Sequence, residues 1–344
     1  MKRIDSIDIL RGIAILQMIF WQIFDFFAKT NIYSQTPYYI PFFNMSINWI
    51  GIGMFAFISG TAAYISVKKR LDKNIKKSKI ISHAVKRYGG YILISLFFTS
   101  FVFGFRIFYQ WNEAIQGIGL AALFAVLLIL LFKSKWIFAG IGLSIIFIQP
   151  FLKSILENNY IIQNYPFNPI LFAPLSNLIS IILNFSVRGG FSLLHLLPFA
   201  IFGVVLSILI FKLKKIQLIR ISSLLGLLIV LISLVLHFSF NPINGYGKSS
   251  SYLLFFVGLF FLIFGLIEYL LAKFGRNKVF DFFIVFGKGA IIAYLFHFLF
   301  IYKPLQILNI ESTFGSLISY VLAIVFTIIL YYICKGWLLF KARK

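Results

Sequence analysis

Long apolar stretches separated by short polar segments run along the whole chain, in a pattern typical of membrane-spanning helices. A bilayer core about 30 Å thick needs about 20 apolar residues in a helix, and about ten stretches reach that length. We predict spans at residues 7 to 27, 47 to 66, 88 to 108, 114 to 132, 136 to 152, 192 to 211, 219 to 238, 251 to 272, 280 to 302 and 314 to 339. The pattern therefore predicts an all-α, polytopic integral membrane protein, with residues 1 to 344 as a single membrane domain.

The composition excludes an ordinary soluble domain. The chain is 61% hydrophobic and only 12% charged, with a mean hydropathy of +0.97, whereas soluble domains are about 25% charged. Cys334 is the sole cysteine, so no internal disulfide can form. We expect the protein to reside in the cell membrane.

Positive charge is concentrated at alternate ends of the predicted spans. The net charge is +23, and nine lysines and arginines lie between Lys68 and Arg87. Because basic loops stay on the cytoplasmic side, we expect both termini in the cytoplasm and residues 67 to 87 as a basic cytoplasmic loop. Residues 153 to 191 are then an outer loop with a re-entrant or interfacial segment. The basic excess follows from topology, and we expect no nucleic-acid partner.

Polar residues of the first span share one helical face. At 100° per residue, Asp8, Arg11, Gln22 and Asp25 fall within about 100° of each other. Asp8 and Arg11 could form an ordinary ion pair near the interface, with Asp25 solvated at the other end. Alternatively, the face lines a path across the membrane, because a charged stripe in lipid is costly. The coincidence of all four residues favours the path.

Five segments resemble the transmembrane acyltransferases related to heparan-α-glucosaminide N-acetyltransferase. "SIDILRGIAILQMIF" is similar to the Asp-x-x-Arg-Gly signature of that family's first helix. The other four follow in the family's order: Met54 to Ser66 before a basic segment, Ala114 to Ala121, Phe191 to Ser207, and Phe286 to Phe300. The resemblance implies an N- or O-acetyltransferase that uses cytoplasmic acetyl-CoA and an amino sugar or other acceptor at the outer side.

Candidate binding residues follow from that implied reaction. The phosphates of CoA would meet basic side chains at the inner rim, with Arg11 and Asp8 as a structural or donor-site pair. The donor-site candidates are Arg11, Asp8, Lys288, Lys68, Lys69 and Arg70. The acceptor-site candidates are Gln22, Asn48, Arg106, Glu113, Gln116 and Arg188.

Acyl transfer to an amine also needs a general base. His297 lies deep in a predicted span and His195 near the outer end of another, so we consider both, although each could instead be a buried structural residue. Related enzymes carry histidine near the end of the first helix or just after it, whereas residues 20 to 48 here contain none. Asp25 or a histidine from another helix must then supply the base.

Lys288 raises a geometric question. Lys288 and His297 are nine residues apart and face opposite sides of a straight helix, unless Gly287 to Gly289 breaks it. An ion pair between Lys288 and Asp281 is the more ordinary interpretation.

Two other functions stay open at this point. The same polar face would serve a transporter of an anionic metabolite or a lipid-linked glycan, and a catalytically silent relative would only bind acyl-CoA. We expect membrane lipid, an acyl-CoA donor and a sugar or amine acceptor as partners, keep a homodimer open, and predict no metal, since one cysteine and scattered histidines give no ligand spacing.

Overall fold

The fold is an assembly of membrane-length helices. A computed structural model describes residues 4–28, 39–40, 45–46, 48–103, 114–158, 186, 191–239, 249–310 and 312–343. Strands β1 (Tyr39–Ile40) and β2 (Met45–Ser46) form a short antiparallel pair. The helices are α1 (Asp5–Phe27), α2 (Asn48–Leu71), α3 (Lys77–Ala84), α4 (Gly90–Phe103), α5 (Ala114–Leu131), α6 (Lys135–Asn158), α7 (Leu193–Lys212), α8 (Lys215–Ser239), α9 (Ser250–Phe274), α10 (Lys278–His297), α11 (Lys303–Ile307) and α12 (Ser316–Ala342).

Nine helical segments within the described residues are long and apolar enough to cross a membrane. This confirms the predicted all-α, polytopic membrane architecture, and most boundaries agree within a few residues. The third predicted span, 88 to 108, is not among these nine; it is described as far as Phe103 and is helical there. The predicted outer loop, residues 153 to 191, lies mostly outside the described residues, and its first residues, as far as Asn158, continue α6.

The basic segment after the second span is more helical than the loop we predicted. Helix α2 continues to Leu71, α3 follows after a short turn, and a π-helical turn at Val85–Gly89 joins α3 to α4. Lysine and isoleucine tolerate helix well, so the many lysines do not break it. We call the side of the domain that carries this helical hairpin the basic end, and the opposite side the far end.

Glycines let three helix pairs cross with their backbones in contact. The pairs are Gly12 with Gly287 (α1 and α10), Gly60 with Gly203 (α2 and α7), and Gly226 with Gly258 (α8 and α9). A Cβ atom on Gly12 would overlap the carbonyl oxygen of Phe283, and one on Gly60 would overlap that of Ala200. Small residues at such crossings are the usual means of close helix packing in membranes.

Substituting Gly60 with alanine is expected to lower the free energy of unfolding by about 1 to 2 kcal/mol, because the new methyl group meets backbone rather than a movable side chain. The matched control is Gly140→Ala in α6, where no atom lies within 4 Å of the new methyl group. That change is expected to be neutral or stabilising by up to about 1 kcal/mol. Thermal unfolding of the purified variants in detergent compares the two, and equal shifts would contradict the close crossing.

Helix α7 lies at the centre, with α2, α5 and α6 packed around it. Helices α6, α8 and α12 turn most of their apolar surface outward, as expected of lipid-facing spans. At the far end, the backbone N–H groups of Ser312 and Phe314 donate to the carbonyls of Phe26 and Phe27, each at 2.9 Å. These bonds tie the end of α1 to the segment that leads into α12.

Candidate functional site

A cavity of about 670 Å³ opens at the basic end, between the start of α1, the last turns of α2 and the π turn before α4. Asp8 is the one acidic side chain in its described lining, and the cationic residues around it outnumber it. Those cations are Arg11, Lys69, Arg70, Lys73 and Arg87. Such a lining concentrates anions near the opening.

Local structure orients several of these cations. One turn of α1 separates Asp8 from Arg11, and the Arg11 Nη1 donates to Asp8 Oδ1 at 3.0 Å. Asp8 is only 3% exposed, whereas the Arg11 side chain is partly exposed toward the cavity. Arg70 donates through Nη1 to Ser66 Oγ at 2.5 Å and to the Ser66 carbonyl at 3.2 Å. Arg87 lies on the π turn, an element often found at functional sites.

The structure brings together four of the six predicted donor-site residues: Asp8, Arg11, Lys69 and Arg70. Lys68 lies outside the cavity lining, because its ammonium pairs with Asp72 at 3.2 Å and sits 5.5 Å from the Phe211 ring. We grouped Lys68 with Lys69 and Arg70 from the sequence because they are consecutive. Consecutive residues of a helix differ by 100° in direction, so their side chains have different surroundings.

Lys288 also lies apart from the cavity. Helix α10 runs through Gly287 and Gly289 without a break, because these glycines pack against α1 and α12, and Lys288 is exposed. Its expected partner Asp281 instead accepts from Arg276 Nε at 2.5 Å. The Lys288–Asp281 pair is therefore not formed. Arg276 lies just before α10, and its side chain extends forward to Asp281 in the first turn of the helix.

His297 and Gln22 meet near the far end, where α10 packs on α1. His297 is fully buried, and its Nε2 lies 2.9 Å from Gln22 Oε1. Its Nδ1 lies 3.3 Å from the Ala293 carbonyl oxygen, and the Phe26 ring stacks beside it at 6.2 Å between centroids. The imidazole is thus held on both edges and on one face.

This arrangement gives His297 two compatible states. Both ring nitrogens face oxygen atoms, so a doubly protonated ring donates to Gln22 and to Ala293 at once. A neutral ring has one N–H, and the Gln22 amide can turn by 180° so that its NH₂ group donates to the other nitrogen. Gln22 therefore accommodates the proton on His297 in either state.

One face of α1 links the two ends. Asp8 and Arg11 line the cavity, and about 16 Å farther along the axis Gln22 contacts His297. Asp25 follows Gln22 by one turn and is half-buried. The predicted polar face therefore meets the cavity at one end and contacts α10 at the other, as the cost of exposing it to lipid leads one to expect.

Two further candidates that the structure describes lie on other helices. His195 is buried in α7, where its ring stacks on Tyr252 with centroids 5.9 Å apart. Gln116 is buried near the start of α5. Arg106, Glu113, Arg188 and the side chain of Asn48 lie outside the described residues.

Cavity residues Lys73 and Arg87 were part of the predicted basic segment but were not chosen individually as site residues. The helical pattern of that segment could have identified them. Among the described residues, no group of three or more histidine, cysteine, aspartate or glutamate side chains could hold a metal ion.

His83 offers a probe of the cavity. It lies on α3 beside Arg70 and Arg87, and its pKa is lowered by partial burial and then by these two guanidinium groups. An anion bound among the cations should offset their charge and raise the pKa of His83, so that the ring gains its proton at a higher pH. An NMR titration of histidine-labelled protein with and without pyrophosphate measures this, and Arg70→Gln should raise the pKa without ligand. An unchanged pKa at high pyrophosphate concentration would contradict anion binding there.

Comparison with known families gives one match. The family model described as heparan-alpha-glucosaminide N-acetyltransferase, catalytic, matches residues 3–177, just over half of the chain. The matched range contains α1, the basic cavity and Gln22, and it ends before α7 and α10. No curated protein matches the chain.

Proposed function

Because the chain belongs to the heparan-alpha-glucosaminide N-acetyltransferase catalytic family, we propose that it is a membrane-embedded acetyltransferase. It takes an acetyl group from acetyl-CoA at the basic end and transfers it to an amino sugar, or to another amine or hydroxyl, at the far end. The basic end faces the cytoplasm in this proposal, and so do both termini. The observation that carries it is the polar face of α1, which runs from the cationic cavity to the His297–Gln22 contact.

The cavity lining fits the donor. CoA carries several phosphate groups, and arginine guanidinium groups bind phosphate through two parallel hydrogen bonds. Arg11, Arg70 and Arg87 approach the opening from three separate elements. Anchoring of the phosphates there leaves the flexible pantetheine arm to extend along α1.

The far end fits the acceptor half of the reaction. The acceptor nitrogen must be neutral to attack the thioester carbonyl, and it must lose a proton as the C–N bond forms and the C–S bond breaks. His297 is the candidate that takes this proton. Its Nε2 contacts Gln22, so the acceptor reaches that nitrogen when the Gln22 amide turns aside. Asp25, one turn beyond Gln22, is the second candidate base. The thiolate leaves readily and needs little acid assistance.

Acetyl-CoA is expected to raise the thermal stability of the purified protein. Ligand at 100 times its dissociation constant stabilises the fold by about 2.7 kcal/mol. Desphospho-CoA should bind more weakly, because it lacks a phosphate that the cations can contact. The double change Arg70→Gln and Arg87→Gln should remove most of the shift.

The matched control is the double change Lys76→Gln and Lys79→Gln, which removes the same charge from exposed positions of the same hairpin, outside the cavity lining. It should retain most of the shift. Equal losses in both double variants would contradict a specific donor site, and no shift in the folded parent protein would overturn the proposal.

A further inference from the structure

An apolar groove of about 400 Å³ lies where α1, α10 and α12 meet. Seven of its nine described lining residues are isoleucine, leucine or phenylalanine. Ile324 and Ile328 of α12 are half exposed and form its outer edge. Because α12 turns most of its surface outward, the groove opens sideways toward the bilayer rather than toward water.

The groove lies on the side of α1 that faces away from the basic cavity. Ile13 and Phe20 line the groove, and they lie two residues from Arg11 and Gln22, respectively. Two residues turn the direction of a helical side chain by about 200°. The groove is therefore separate from the polar face of α1, and the proposed acetyl transfer makes no use of it.

One stripe of α12 connects the groove to the basic end. Four side chains recur there at steps of four, three and four residues, so they lie within about 60° of each other. They are Ile324, Ile328, Tyr331 and Lys335. The Tyr331 ring stacks on the ring of Phe282, a groove residue, with centroids 5.1 Å apart. Lys335 Nζ in turn lies 6.0 Å from the centre of the Tyr331 ring, so side-chain contacts lead from the groove to Lys335.

Lys335 lies at the level expected of lipid headgroups. Residues 316 to 334 carry no charged side chain, and a helix of that length spans about 28 Å, close to the thickness of a bilayer core. Lys335 is exposed, and it has no acidic partner among the residues that the structure describes. It follows Ile328 by about 10 Å along the helix axis, so a lipid phosphate beside Lys335 leaves its acyl chain within reach of the groove.

These surroundings define the chemistry of the occupant. An apolar cavity stays dry and takes up apolar molecules instead, and lipid chains are the apolar molecules that surround a membrane-spanning helix. A lysine at the membrane surface attracts anionic lipids. We propose that the groove holds an acyl chain of an anionic phospholipid from the leaflet at the basic end, with the lipid phosphate beside Lys335. This site is additional to the acetyl transfer proposed above and does not depend on it.

Phosphatidylglycerol, added to the purified full-length protein in detergent, tests this site. We expect it to raise the unfolding temperature more than phosphatidylcholine does, and to stay bound to the parent protein in native mass spectrometry. Glycerophosphate, which has the phosphate but no acyl chain, should have no such effect.

Two variants separate the chain contact from the phosphate contact. Ile328→Trp should reduce the phosphatidylglycerol-dependent shift at least several-fold, because the larger side chain occupies the groove. Lys335→Gln should abolish the preference for phosphatidylglycerol over phosphatidylcholine. Stabilisation by acetyl-CoA is measured in each variant and should persist in both, so failure of the donor site is distinguishable from failure of this one.

Ile329→Trp and Lys341→Gln are the matched controls. Ile329 is exposed on α12 but lies outside the groove lining, and Lys341 is exposed on another face of the same helix. Both variants should keep the parent response. Equal effects of the two lipids on the parent protein would overturn the proposal, as would a full response in Ile328→Trp. A parent dimer that Ile328→Trp converts to a monomer would overturn it in favour of a second copy of this chain as the occupant.

Discussion

Replacing His297 with asparagine is expected to lower the rate of acetyl transfer by about 10²- to 10⁴-fold, the usual contribution of a general base. Asparagine keeps a polar group beside Gln22 but cannot accept the acceptor's proton. The measurement is release of free CoA thiol from acetyl-CoA, with glucosamine and related amines as acceptors. Stabilisation by acetyl-CoA should persist in the variant, because the basic cavity lies about 16 Å along α1 from Gln22.

His237→Asn is the matched control, since this histidine lies at the far end of α8 and outside the contact with Gln22. It should keep the parent rate. Gln22→Leu should lower the rate less than His297→Asn, because it removes only the group that orients the ring. An unchanged rate in His297→Asn together with a large loss in Asp25→Asn would assign the base to Asp25 instead. Binding of acetyl-CoA without thiol release from the parent protein would identify a catalytically silent relative.

Replacing Arg11 with glutamine is expected to lower the free energy of unfolding by about 3 kcal/mol. The change removes the guanidinium that lies 3.0 Å from the Asp8 carboxylate, which is almost fully buried, and breaking a buried ion pair from one side is strongly destabilising. Thermal or denaturant unfolding in detergent measures the loss.

Two variants test that explanation. Adding Asp8→Asn to Arg11→Gln should recover much of the lost stability, because the carboxylate no longer needs a counter-charge. Lys68→Gln removes one partner of an exposed pair with Asp72 and should cost less than about 1 kcal/mol. A similar loss of unfolding free energy in Lys68→Gln and Arg11→Gln would show that burial of Asp8 does not increase the cost of removing its partner.

The sequence predicted the architecture well, because spans depend on local hydropathy. The limits of α5, α7, α9 and α12 follow from apolar runs that end in basic or small polar residues. The shared face of Asp8 and Arg11 is also local, since a single turn of one helix sets it. The same periodicity predicted the polar face of α1, and that face meets the cavity at one end and contacts α10 at the other.

Contacts between distant helices were beyond such reasoning. Gln22 and His297 were both chosen as site residues, but for different roles, because nothing in a single sequence indicates that side chains 275 residues apart touch. The position of Lys288 away from the cavity has a related reason: hydropathy cannot say whether Gly287 and Gly289 break a helix or pack it against neighbours. Here Gly287 packs against the backbone of α1 at Asp8, and Gly289 packs against the side chain of Cys334 in α12.

The glycine crossings also constrain how this domain can move. Helices whose backbones touch at Gly12 and Gly287, or at Gly60 and Gly203, cannot slide past one another without a steric clash. Each pair is therefore expected to move as a unit, so that any relative motion would occur more easily between the pairs than within them. The basic cavity lies where α1 of one unit faces α2 of the other. Rocking of these units would widen or narrow the opening while the His297–Gln22 contact, which lies inside one unit, keeps its geometry.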